Sequence, residues 1–199
     1  MITRKAHGFT LIEVALTLLI VGLLISGLLK GQEILTNAKI KNLERDYQGT
    51  LMAFYLYQHR YHSHPGDDPK ATLRFGQTTL NGNGNNRIEG LFSTEETAME
   101  SRLVWTHLRA SGLIQNQALS DQLPHHTFNG VIGLSSFRET RNPVTLSNFF
   151  IVFTNIPNKV ALILETQRDD THPYQGHIQT DSLEQYRNLS TLHQLYLTL

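Results

Sequence analysis

The sequence predicts an α+β fold: one long N-terminal helix, half apolar and half amphipathic, packed on a small antiparallel β-sheet head. Three stretches lead to it. Phe9 to Leu29 is an almost uninterrupted apolar run of about 21 residues, near the roughly 20 a helix needs to cross a bilayer. Ile40, Leu43, Tyr47, Leu51, Phe54 and Tyr61 then recur at the three-to-four spacing of one helix face. Later, Phe149-Phe150-Ile151-Val152-Phe153 sits inside a run of β-formers. The 199 residues include 17 basic and 17 acidic side chains, a formal net charge of zero. That balance gives no electrostatic case for nucleic-acid binding. With no cysteine, the chain has no disulfides, and cysteine usage does not identify its compartment.

The elements follow in order. From Phe9 the helix-compatible sequence runs to about Tyr61, roughly 80 Å at 1.5 Å per residue. Lys39, Lys41, Glu44, Arg45 and Asp46 fall mostly outside its apolar stripe. His64-Pro65-Gly66 ends the pattern, because proline disfavours helix before it and glycine opens a turn. Residues 65–92 are rich in turn formers and read as a long structured loop. Ser93-Thr94-Glu95-Glu96 has the spacing of a capping box and opens a second helix. Met99, Leu103, Trp105 and Leu108 supply its buried side, and Gly112 is its stop. Thr127–Leu134 and Val144–Thr154 are strand candidates. Asn155-Ile156-Pro157 could cap a further helix to about Arg168, although Val160–Leu164 alone reads equally as a strand. Leu195, Leu197 and Leu199 alternate as a last strand would, and Leu183, Tyr186 and Leu189 fit a turn of helix before it.

One position in the apolar run stands out. Glu13 is an ionisable group in a membrane-length span, where insertion costs on the order of 2.5–3.5 kcal/mol, so such a group is usually there for a partner. Upstream, Arg4 and Lys5 fit an N-terminus held in the cytoplasm. An ordinary secretory signal would end in a small-x-small cleavage site, and neither Ser26-Gly27 nor Lys30-Gly31 makes one. The segment Arg4-Lys5-Ala6-His7-Gly8-Phe9-Thr10-Leu11-Ile12-Glu13 resembles the leader of type IV pilins and type II secretion pseudopilins. The resemblance implies a pilin-like fold, cleavage between Gly8 and Phe9 by prepilin peptidase, and methylation of the new terminus at Phe9. It implies further that Glu13 serves assembly: its carboxylate would neutralise the terminal amine of a neighbouring subunit, or that of its own Phe9. The implied partners are prepilin peptidase, other pilin or pseudopilin subunits and an inner-membrane assembly platform. Many bulk fibre subunits carry a proline in the hydrophobic stalk. This chain has none between Phe9 and His64, which favours a minor pilin or pseudopilin.

The head resembles a group of pilin-like proteins with an ordered set of short motifs. They stand here as Pro65-Gly66-Asp67, as Gly82-Asn83-Gly84-Asn85-Asn86-Arg87-Ile88-Glu89-Gly90, as Trp105-Thr106-His107-Leu108 with Ser111-Gly112-Leu113-Ile114, and as Asp169-Asp170-Thr171-His172-Pro173-Tyr174-Gln175-Gly176. In that group the segment before the last motif is helical, which implies helix over 157–168. Thr171 departs from the pattern, replacing a glycine. The implied organisation is a leader (1–8), a membrane and assembly helix (9–29), its amphipathic continuation (30–61), and a head (62–199) in the periplasm of a single-pass inner-membrane protein, carried into a filament after processing.

Other chemistry is sparse. Asn81, Asn83 and Asn85 alternate as the first ligands of a calcium loop do, with Glu89 following. Glycine is missing at the sixth place and Phe92 stands where a bidentate glutamate belongs, so a plain asparagine–glycine turn competes with the calcium reading. His59, His62 and His64 have donor types suited to zinc or copper, but they straddle a helix end and read as surface histidines, as does the pair His125-His126. No G-x-S-x-G, H-E-x-x-H or phosphate-binding glycine loop occurs, so an enzyme is not expected. A membrane-tethered periplasmic hydrolase and an adhesin or DNA-uptake tip subunit are the alternatives. Tyr55, Tyr57 and Tyr61 are better explained by helix-to-head packing than by base stacking.

Overall fold

The structure is a computed structural model that describes residues 10–77, 79–93, 95–115, 120, 122–137, 145–169, 176–180 and 192–199. Gly8, Phe9, most of the late motif around Thr171, and the expected helical turn at Leu183–Leu189 lie outside the described residues. Among the described residues, four helices and four strands follow in the order α1 (Leu11–Tyr61), α2 (Ala71–Phe75), α3 (Glu100–Ala110), β1 (Ile132–Phe137), β2 (Thr145–Pro157), α4 (Asn158–Arg168), β3 (Ile178–Thr180) and β4 (Leu192–Thr198). This is an α+β, pilin-like arrangement. The chain divides into two compact units, Met1–Lys41 and Asn42–Leu199, with α1 running through the boundary.

In the first unit α1 leaves its large apolar side chains exposed: Leu11, Leu18, Leu23, Leu24 and Leu28 are all more than half accessible. Among the described residues it is the one helix long and apolar enough to cross a membrane. Near its polar end Lys30 and Glu33 form an exposed ion pair at 2.8 Å.

In the second unit the remainder of α1 buries the expected stripe. Leu43, Phe54 and Tyr57 are buried, and Tyr47, Leu51 and Tyr61 are half-buried. Phe54 meets Phe149 of β2 at 5.2 Å between ring centroids, and the Tyr47 hydroxyl donates to the Thr198 carbonyl at 3.2 Å. The sheet is antiparallel in the order β1-β2-β4-β3. Phe150, Ile151, Val152 and Phe153 of β2 are all buried, so this strand is covered on both faces. Phe150, Val152 and Tyr196 form one cluster with Phe92, and Gly133 of β1 pairs with Val152 beneath that ring. A Cβ on Gly133 would come within 2.4 Å of the Phe92 ring, so only glycine admits the aromatic there. The outer edge of β1 is closed by the chain itself: Ser136 N–H donates to Ile88 O at 3.2 Å, and Ile132 N–H to Pro124 O at 2.8 Å. A covered edge cannot recruit a further strand.

Several expected elements shift. The 65–92 loop contains the short helix α2. The segment from Ser93 does not open a helix. The chain instead turns, with Met99 N–H bonded to Glu96 O, and α3 starts at Glu100, whose carboxylate is drawn inward by backbone donors of the preceding loop. Gly112, at φ +73, follows the end of α3 as a stop glycine should, with Leu113 N–H bonded back to Leu108 O at 3.0 Å. Thr127–Asn129 form a turn and not strand, because Asn129 takes φ +59 and His126 N–H closes on Gly130 O at 3.1 Å; β1 begins only at Ile132. Strand β2 continues through Pro157 past an irregularity at Asn155 (φ +60), so α4 starts at Asn158 with proline before it and not within it.

Two glycines separate packing from helix propensity. Gly133→Ala should lower head stability by about 1–3 kcal/mol, the usual range for overpacking. Gly49→Ala, on an open helix face with nothing within 4 Å of the added carbon, should raise it by about 1 kcal/mol. Thermal melts of the full chain in detergent would show shifts of opposite sign; equal shifts would remove the packing explanation.

Candidate functional site

Two groups of residues carry chemistry beyond packing. The first is the start of α1. Thr10 precedes the helix, and its backbone N–H and hydroxyl both donate to Glu13 Oε2, at 2.8 and 2.9 Å. Glu13 N–H returns a bond to Thr10 Oγ1 at 3.4 Å. The pair is a capping box, which satisfies donors that a helix start leaves open. The T-x-x-E spacing announces it, yet sequence reasoning centred on the cost of the charge passes over it. Glu13 is the only ionisable side chain between Thr10 and Leu29. Its carboxylate is placed by local bonds at the head of an exposed apolar helix, close after the residue that cleavage would expose. Gly8 and Phe9 themselves are outside the described residues.

The second is the asparagine loop. Asp67, 2 % exposed, accepts three consecutive backbone N–H groups: Gly84 and Asn85 on Oδ1 at 2.6 and 3.0 Å, and Asn86 on Oδ2 at 2.7 Å. Glu100 accepts Asn83 N–H and Glu89 N–H at 2.8 and 2.9 Å. Burial pushes the Glu100 carboxyl above its ordinary range, and Asp67 and Glu89 push the same way against the two N–H donors. Of the residues singled out by spacing, Asn83, Asn85 and Glu89 do converge: both amide nitrogens donate to Glu89, at 3.2 and 2.7 Å. Asn81 is held apart, its Oδ1 accepting Thr72 N–H at 2.8 Å. The side-chain oxygens of Asn83 and Asn85 accept the N–H groups two residues on, at 3.0 and 2.9 Å, which orients both amides. The described oxygens therefore face donors, and among the described residues no three His, Asp or Glu side chains are arranged to hold a metal ion. Asp67 and Glu100, which close this loop, lie outside its sequence run, so spacing alone does not find them.

The histidines divide by burial. His59, His62 and His125 are exposed, as expected of surface residues. His64 packs between Phe54 and Phe149, and His107 and His126 are buried. Of the three tyrosines, Tyr57 is fully buried and Tyr61 packs on Phe75, both as helix-to-head contacts, while Tyr55 is about half exposed.

A long exposed apolar helix with a carboxylate at its head fits a membrane-anchored, single-pass protein, and the α+β head is consistent with a pilin-like fold. Residues 3–29 match the prokaryotic N-terminal methylation motif, the signature of type IV pilin-like, prepilin-type proteins. The motif implies processing by prepilin peptidase and assembly with other pilins, in a class whose members are typically structural. It takes in the first part of α1 and does not extend beyond residue 29. No curated protein and no solved structure matches the chain.

The loop offers a direct measurement. If its own hydrogen bonds close it, calcium titration of the full chain in detergent should give no heat and no melting shift, while Asp67→Ala should cost several kcal/mol by stranding three N–H groups at roughly 1–3 kcal/mol each. A saturable heat lost in an Asn83→Ala/Glu89→Ala double variant would make the loop a cation site.

Proposed function

We propose that this chain is a minor pilin or pseudopilin. It is inserted in the inner membrane with its head in the periplasm, cut between Gly8 and Phe9, methylated at Phe9, and then carried into a type IV pilus or type II secretion filament. The observation that carries the reading is the continuity of the methylation motif with an unbroken 51-residue helix whose apolar span holds a single carboxylate. A helix apolar on every side cannot remain in water, and its partners are lipid or other helices of the same kind. In lipid, Glu13 gains a large advantage from the positive amine of a processed terminus, because opposite charges attract more strongly where water is excluded. Cleavage creates that amine, and methylation keeps its charge. Processing and recruitment are thus linked through one ion pair.

The absence of a stalk proline supports a minor pilin or pseudopilin over a bulk fibre subunit. The head's work is to transmit contacts within the filament, and no residue is assigned to catalysis or to nucleic acid.

Glu13→Leu should leave cleavage and membrane insertion intact and abolish incorporation into purified filaments. Glu13→Asp, which keeps the charge, should retain part of it. Mass spectrometry of wild-type filaments should find an N-methylated Phe9 as the first residue. Wild-type incorporation by Glu13→Leu would remove the assembly role, and an uncleaved leader in filaments would remove the processing step.

A further inference from the structure

The segment that follows α1 is tied to α3 through one imidazole. His107 is fully buried, and both ring nitrogens are used in opposite senses. Gly66 N–H donates to Nδ1 at 2.9 Å, so Nδ1 is the acceptor. The proton therefore sits on Nε2, which donates to Leu80 O at 2.8 Å. One neutral ring thus holds the turn after α1 and the far end of the following loop against α3.

We propose that His107 is an acid-released latch: protonation of Nδ1 frees Gly66, and with it the Pro65–Leu80 segment, from α3. A second proton leaves the ring with two donors and no acceptor, so Nδ1–H faces Gly66 N–H. The backbone has no slack to absorb this. Gly66 stands at φ +91, and a Cβ there would lie 2.6 Å from Glu100 O and 2.7 Å from Val104 Cγ2, so the turn is already pressed onto α3. Relief comes only by moving the turn away. Asp67 and Asp68, the next two residues, would move with it, and they hold the asparagine loop and Tyr57 respectively.

The charged and titratable groups around the ring come from three elements. From α1, the Tyr57 ring stacks on it at 6.1 Å and donates its hydroxyl to Asp68 at 2.7 Å. From the turn, Asp68 favours the protonated ring; from α2, Arg74, paired with Asp68, opposes it. On α3 itself the residues one turn away, Leu103, Val104, Ala110 and Ser111, are uncharged. Burial dominates and holds His107 below the ordinary value of 6.5. The sign follows: above that value neither folded nor unfolded chain binds the proton, and below it the unfolded chain takes it first. The latch is intact at neutral pH and weakens progressively as pH falls below about 6.5. His64 and His126 are also held low by burial; His126 bonds to Thr154 O, while His64 packs between Phe54 and Phe149 two residues before Gly66, so the Gly66 shift is matched to the separately resolved titration of each ring.

The test uses the full chain in detergent micelles, followed by NMR and hydrogen exchange from about pH 7.5 to 5. The Gly66 amide should be protected at neutral pH and lose about tenfold of its protection for each unit by which His107 is depressed. The His107 ring should show the Nε2–H tautomer and titrate together with the Gly66 amide shift. His107→Gln supplies a donor and an acceptor without a titrating proton, and should keep Gly66 protected throughout. The proposal fails if Gly66 stays protected while the ring is charged, if ring and amide follow different midpoints, or if His107→Gln loses protection as the parent does.

Discussion

A chain segment that leaves a helix and enters a core must find a partner for every buried backbone donor. The stretch between α1 and α3 contains little regular structure to supply them. Side chains do much of this. Asp67 takes the N–H groups of Gly84, Asn85 and Asn86, Glu100 takes those of Asn83 and Glu89, Asp68 takes that of Lys70, and His107 takes that of Gly66. Without them the backbone donors of this loop would be buried unpaired. The close approach of the turn backbone explains why Gly82 is bare: a Cβ there would lie 2.4 Å from Asp67 Cα.

The two halves of α1 answer to different surroundings. Between Thr10 and Leu29 the side chains are apolar on every side, which suits lipid and other helices and gives no preferred face. From Leu43 onward one face carries aromatic and aliphatic groups that pack on the sheet, while the opposite face is polar or exposed. Glu13 belongs to the first environment, where the capping bonds from Thr10 hold its carboxylate at the helix start. Such bonds position the group without neutralising it, so it remains available to an opposite charge.

Much of this was legible in the residues. The 3.6-residue rhythm of α1 survives to Tyr61 because the stripe is long and the stop at His64-Pro65-Gly66 is chemically strong. The start of α3 was not legible. Ser93-Thr94-Glu95-Glu96 has every local feature of a cap, yet Glu100 is pulled into the asparagine loop and sets the helix start by a tertiary contact. At the start of Thr127–Leu134 the Asn129-Gly130 turn outweighed β propensity, since Asn129 takes φ +59 and His126 N–H closes on Gly130 O. Of Asn81, Asn83, Asn85 and Glu89, which their spacing singles out, the last three meet and Asn81 stands apart, and the carboxylates that close the loop come from Asp67 and Glu100, outside that run.

By itself the sequence determined the membrane-length span, the basic, glycine and phenylalanine residues ahead of it, the lone carboxylate at Glu13 and the α+β character of the head. These depend on composition and periodicity over neighbouring residues, which a linear reading contains. Only the tertiary structure decided which histidines are buried, which carboxylates accept backbone donors and where α3 begins. Those outcomes depend on groups that are distant along the chain and meet only after folding, when loss of water makes each unpartnered N–H costly enough to choose its acceptor.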